Sequence, residues 1–398
     1  MSVDDPIMSV AQSEVALIDT DSHLTEPADV WTSRMSKAKW GDLIPHVVFD
    51  EQRGEERWMV GDEVMMPGGM PSITGWPEPF PSYPPTLADC HPATHEPRAR
   101  LALLDSAGIQ SQVIFPNLVG FFAQTFLQLD PSFSNAAIRA YNDFMTEFCS
   151  IDPARLVHLT VLPFWDVEES VAEMERGMAA GHKGVLFAHT FEQLGLPNIP
   201  DPHWAPILDA AQSLGQSINF HIGFGSKITA EAEEVLLNAA HIPRVATAEA
   251  SSLSFVSNAR ALTLIILHGV CHRYPRLKFV TVESGFGFIP MLLEKMDWQF
   301  HNNGMVIDHP DWLLPSEYFK RQVYANVWHE RVVPDHIEEF QDNLMWETDY
   351  PHPTSNWPTP HSLATPPQES IARMFAGASP EALRKILHDN AAGLYHLD

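Results

Sequence analysis

The chain is poor in cysteine, in basic residues and in long apolar runs, and each shortage closes off a class of function. Three cysteines, Cys90, Cys149 and Cys271, among 398 residues are too few and too scattered for a disulfide framework or a cysteine-rich zinc site. That favours a reducing, cytoplasmic setting. Lysine and arginine number 24 against 51 acidic residues, a formal charge of −27. Such a surface repels phosphate backbones and anionic lipids, so neither nucleic acid nor a membrane is an expected partner. No apolar run of about 18 residues is present, so no membrane span is expected. The acidic N-terminus also lacks the basic-then-apolar pattern of a secretion signal. An anionic substrate would need local compensation by metal, arginine or histidine.

What the chain has is alternation. Short β-branched or apolar runs near 15–21, 111–116, 156–163, 183–189, 217–223, 278–284, 323–329 and 343–349 read as strands. Between them, 99–108, 133–151, 167–181, 202–215, 253–273 and 379–396 carry helical periodicity. Strands alternating with helices predict an α/β fold, a parallel, closed (β/α)8 TIM barrel. The expected organisation is a flexible leader over 1–14 and one barrel domain over 15–398. Insertions follow strands one and five, at 24–97 and 224–252, and are candidate caps or lids. The first holds Trp76-Pro77-Glu78-Pro79-Phe80-Pro81-Ser82-Tyr83-Pro84-Pro85, which denies a regular helix or central strand there. Within the second, 230–240 looks helical.

Barrels of this kind place chemistry at the carboxyl ends of their strands. The first strand ends in Asp19-Thr20-Asp21-Ser22-His23, and period-two alternation turns Asp19, Asp21 and His23 to one face. The fifth ends at His221, the sixth at Glu283, and the eighth in Asp349-Tyr350-Pro351-His352. Carboxylates and imidazoles at four strand ends suit a divalent cation with mixed oxygen and nitrogen ligands. Burying them without a metal or a hydrogen-bond partner would be costly.

The opening Ile18-Asp19-Thr20-Asp21-Ser22-His23 with Glu26-Pro27 resembles the first motif of the second amidohydrolase family, the relatives of α-amino-β-carboxymuconate-ε-semialdehyde decarboxylase. So do Asp201-Pro202-His203-Trp204-Ala205-Pro206, Phe220-His221-Ile222-Gly223, Tyr274-Pro275-Arg276-Leu277-Lys278-Phe279 and Trp346-Glu347-Thr348-Asp349-Tyr350-Pro351-His352. The resemblance spans about residues 15–396. It implies one zinc, manganese or iron ion held by Asp21, His23, His221 and Asp349, with Asp349 moving a proton. It further implies decarboxylation or hydrolysis of a small carboxylic acid, and a homo- or hetero-oligomer. Two departures stand out. Asp21 occupies a position where family decarboxylases carry His or Glu, and Glu283 stands where many relatives carry a proton-handling His. Lys183 opens the fourth strand rather than closing it, which argues against a lysine-bridged metal pair. Asp19, Glu26 and Glu283 leave room for a second ion.

The carboxylate excess supports an alternative, an iron- or manganese-dependent hydroxylase that uses O2 on the same fold. A catalytically degenerate partner subunit is the non-enzyme alternative. Catalytic candidates are Asp349, Glu283, His352 and His329; metal candidates are Asp21, His23, His221, Asp349, Glu26 and Glu283. His268 and His272 share a helical face and read as packing residues, while Arg331 and Lys227 are candidate partners for a substrate carboxylate.

Overall fold

The computed structural model describes residues 15–225, 244–360 and 362–397. The leader 1–14, Lys227 and the helix expected over 230–240 lie outside the described residues. The described residues form twelve strands, β1 Leu17–His23, β2 His46–Asp50, β3 Glu55–Val60, β4 Glu63–Pro67, β5 Ile109–Phe115, β6 Leu156–His158, β7 Thr160–Val161, β8 Gly184–Leu186, β9 Ser217–His221, β10 Phe279–Val282, β11 Val323–Val327 and β12 Leu344–Trp346.

All but β2–β4 run parallel, in the orders β1–β5–β6 and β7–β8–β9–β10–β11–β12. β6 and β7 are one stave interrupted at Leu159. The seam between β1 and β12 is joined by Asp349 N–H donating to Asp21 O at 2.9 Å, His23 N–H donating to Tyr350 O, and a parallel bridge between Ser22 and Tyr350. The expected eight-stave barrel therefore stands. Its staves read as nearly continuous apolar runs because helices cover their outer faces; β10 is Phe-Val-Thr-Val, buried throughout.

Helix Pro97–Ala107 shows why the elements fall where they do. Pro97 pre-sets its first turn and Gly108, at φ 67°, ends it in the left-handed conformation. Gly269 (φ 73°) breaks the helix expected over 253–273, and a Cβ there would lie 2.5 Å from the Trp312 ring. The result is two helices, Val256–Leu267 and Val270–Arg273. His268 and His272 thus do not share a face, and His272 Nδ1 is 2.8 Å from the Tyr318 hydroxyl. The stretch 244–267 is long and apolar enough, by length and composition, to cross a membrane. Its second half is a barrel helix, with Ala261, Leu262, Ile265 and Ile266 buried in the core.

The first insertion holds more order than its prolines suggest. β2–β3–β4 form an antiparallel meander that packs through Trp58 edge-on against Trp31, ring centroids 5.2 Å apart. The chain beyond it reaches the barrel mouth, where Ile73 N–H donates to Pro351 O at 3.1 Å.

Away from the mouth, His158 packs against His182, ring centroids 3.9 Å apart. Burial, assisted by Lys183, lowers the His158 pKa to about 4. A histidine whose folded pKa is depressed adds stability that is present above about pH 6.5 and is lost as pH falls toward 4. The loss is about 3 kcal/mol. Urea denaturation of wild type and His158→Asn at pH 7 and at pH 4 should show the wild type losing more than the variant by about this amount; an equal change in the two would remove His158 as a contributor.

Candidate metal centre

The donors converge. His23 Nε2 lies 3.0 Å from His221 Nε2 and 3.6 Å from both Asp21 Oδ1 and Asp349 Oδ1. His221 Nε2 is 3.6 Å from Asp21 Oδ1 and 3.3 Å from Glu283 Oε2. His352 Nδ1 is 2.9 Å from Asp349 Oδ1. Asp21, His23, His221 and Glu283 form one group, and His23, Glu283, Asp349 and His352 another, each with donor atoms within 4.8 Å of one another. Every one of these residues is buried.

Local backbone features aim them. Between Asp19 and Ser22, β1 slips by a bulge against β5, which breaks simple alternation and re-aims side chains. Asp21 and His23 reach the cluster, whereas Asp19 does not. Its carboxylate accepts from Thr348 N (2.8 Å), Thr348 Oγ1 (2.6 Å) and Gln112 Nε2 (2.7 Å), tying β1 to its neighbours. Glu283 and Asp349 are in the left-handed region at φ 54° and 57°. Such a conformation costs about 1–3 kcal/mol per residue and gathers at functional sites. Gly223 (φ 76°) leaves room for Phe121, which a Cβ would meet at 2.9 Å. The Phe121 ring covers His23 and His221, with centroids at 6.0 and 5.7 Å.

Electrostatics describe a site short of positive charge. Burial first, then Asp349 and Asp19, pushes the Asp21 carboxyl well above its usual range. Burial and Asp349 do the same to Glu283, and burial with Glu347 does so to Asp349 against the Thr354 hydrogen bond. Burial lowers His23 and His221, and takes His352 down to about 3. The imidazoles are therefore neutral, with lone pairs available. Both Asp21 oxygens and Asp349 Oδ1 have no hydrogen-bond partner among the described residues. Buried orphan acceptors are rare and demand a reason. A divalent cation fits, because it reverses the repulsion that raises these carboxyls. Donor separations of 3.0–3.6 Å match atoms sharing one ion at bonds of about 2.0–2.2 Å.

Two candidates are not brought in. Glu26 Oε1 accepts from Asn117 N (2.8 Å) and Leu118 N (3.0 Å), so its carboxylate is consumed by backbone amides rather than offered to a metal. His329 lies exposed on the rim, lining a cleft of about 240 Å³ with Glu283, Phe255, Phe288 and Trp328. Arg331 is also exposed. Other residues were not singled out in the sequence. Thr354 Oγ1 donates to Asp349 Oδ2 at 2.8 Å. Buried Arg100 donates to His23 O and Ala93 O, and at 3.0 Å to Gln112 Oε1. Glu347 accepts from Asn326 at 2.6 Å and from Glu283 N at 3.2 Å. Asn117 Oδ1 faces His352 Nε2 at 2.7 Å. Of these, only Glu347 lies in a motif that the sequence singles out.

Comparison with known proteins agrees with this geometry. No curated protein sequence matches the chain. An amidohydrolase from Mycobacterium avium subsp. paratuberculosis K-10 superposes with a TM-score of 0.72 at 21% identity, over 96% of this chain and 100% of that one. The 5-carboxyvanillate decarboxylase LigW from Sphingomonas paucimobilis gives 0.60 at 20%, over 97% and 100%. A dihydroxybenzoic acid decarboxylase from Polaromonas sp. JS666, solved with manganese and the inhibitor 2-nitroresorcinol, gives 0.57 at 17%, over 96% and 98%. These likenesses show the barrel fold. The amidohydrolase family profile matches residues 18–397, essentially the whole described barrel, and the chain belongs to that family.

Proposed function

We propose that this chain is a metal-dependent carboxy-lyase acting on a small carboxylic acid, with Asp21, His23, His221, Glu283 and Asp349 as the metal-holding set. The carrying observation is the cluster of buried donors whose Asp21 oxygens and Asp349 Oδ1 lack partners. Three carboxylates among the donors suit manganese or iron better than zinc, and the decarboxylase from Polaromonas sp. JS666 carries manganese. A cleft of about 240 Å³ beside Glu283, walled by Phe255, Phe288 and Trp328, suits a single-ring acid.

A bound divalent ion would supply positive charge to the substrate's carboxylate side and polarise a neighbouring oxygen. The chain's own residues do the rest. As the bond to the carboxyl group breaks, its electron pair stays on the substrate carbon and CO2 departs. The Asp349 carboxylate, steadied by Thr354 at 2.8 Å and facing His352 at 2.9 Å, takes up a proton from solvent and passes it to that carbon. Glu283, in the position of the relatives' histidine, borders the cleft as a carboxylate ligand. Free, buried Cys90, Cys149 and Cys271 support a cytoplasmic setting. Met291 and Trp298, exposed on one helix at 66% and 69%, support an oligomer.

The test is metal analysis of the native protein, followed by CO2 release from hydroxylated benzoic acids with added manganese. One metal per chain and CO2 release are expected. Two iron or manganese ions per chain with O2 uptake would overturn it in favour of the O2-using hydroxylase, the reading that Glu283 among the donors favours. Absence of bound metal with no turnover would overturn it in favour of a degenerate subunit.

A further inference from the structure

The histidine that follows the eighth stave is gripped from both sides, and the grip runs back to a carboxylate that serves no metal. We infer that Asn117 is a positioning residue that holds His352 as its Nε2–H tautomer and so leaves Nδ1, the nitrogen on the side of the donor cluster, without a hydrogen. The inference rests on the cluster's geometry and holds whichever reaction runs there.

An amide's oxygen and nitrogen are told apart by their partners. Asn117 Nδ2 faces two acceptors, Leu24 O and Glu26 Oε2, the latter at 3.4 Å. It must therefore be the donor end, which leaves Oδ1 toward His352 Nε2 at 2.7 Å. Two acceptors cannot sit that close, so Nε2 carries the hydrogen. A neutral imidazole holds one proton only. Nδ1 is then bare, 2.9 Å from Asp349 Oδ1, an oxygen with no hydrogen-bond partner among the described residues.

The chain of constraint continues outward. Glu26 is oriented by the amides of Asn117 and Leu118, and through Asn117 it sets which edge of the His352 ring is basic. Stacking on His23, with centroids 3.6 Å apart and planes at 22°, keeps the ring from leaving. Glu26 thus acts on the site through two side chains. The usual way for proteins to fix a functional histidine is a hydrogen bond on the far ring nitrogen, and Asn117 supplies it here.

The test reads the tautomer directly. Protein labelled with 15N-histidine, metal-free and zinc-loaded, is examined by long-range 1H–15N correlation, with His352→Gln identifying the signal by its loss. Wild-type protein is expected to show a protonated Nε2 and a bare Nδ1. Asn117→Asp, whose neutral buried carboxyl offers O–H to Leu24 and an oxygen to His352, should keep that pattern. Asn117→Leu, which has no acceptor, should shift His352 toward the Nδ1–H pattern. A wild-type Nδ1–H signal, or an unshifted Asn117→Leu spectrum, would overturn the inference. Should Asn117→Leu fail to fold, the wild-type and Asn117→Asp spectra still decide it. Failure to release CO2 with the expected tautomer in place would sink the carboxy-lyase reading and leave this one standing.

Discussion

Asp349→Asn is expected to lower kcat by about 10³-fold at saturating metal while the protein stays folded. General acid–base groups contribute roughly 10²–10⁴-fold, and Asp349 is the carboxyl placed among the donors with an oxygen held by Thr354 at 2.8 Å. Asparagine can accept that same hydrogen bond but has no proton to give. It also tolerates the left-handed backbone at φ 57°, so the variant tests chemistry rather than folding. Steady-state kinetics with metal analysis and circular dichroism on the same preparation would check it. A variant keeping more than a tenth of wild-type kcat would remove Asp349 from proton transfer.

Asp21→Asn should separate metal holding from stability in opposite directions. The Asp21 oxygens make no hydrogen bond among the described residues, and burial, Asp349 and Asp19 all disfavour its charge. Removing that charge should raise the stability of the metal-free protein by about 1–2 kcal/mol, since an unpaired buried charge is a liability. Manganese affinity should fall by at least about 100-fold. Wild-type protein at 100 times its Kd should gain about 2.7 kcal/mol from the metal, and the variant almost none. Urea denaturation with and without manganese reads all of this. A metal-free variant less stable than wild type that still gains from manganese would show that Asp21 serves the fold and holds no ion.

Both expectations grow from residues that the linear order already marked. Asp21, His23, His221, Glu283 and Asp349 stand at strand ends, and a side chain at a strand's carboxyl end in a parallel barrel has one place to go. Their meeting was legible because the alternation of strand and helix was legible. Glu26 was not, because a carboxylate three residues past His23 looks the same in sequence whether it faces a cation or two amide hydrogens. Asp19 misled for a different reason. Alternation assumes a regular strand, and the bulge between Asp19 and Ser22 arises from pairing with β5, which lies far along the chain. The meander β2–β4 was hidden by neighbouring prolines, although Gly54 and Gly61, at φ 70° and 58°, mark its two turns.

Taken alone, the sequence determined the barrel, its polarity and the set of donors at its mouth, since hydrophobic period and strand-end chemistry are local properties. Tertiary structure decided which donors share a centre, that Asp19 and Glu26 are consumed by hydrogen bonds, and that Asn117, Thr354 and Arg100 stand behind the site. Those outcomes depend on which groups meet across the seam and the staves. A hydrogen bond between residues such as Asn117 and His352, 235 positions apart, leaves no periodic trace in the chain that forms it.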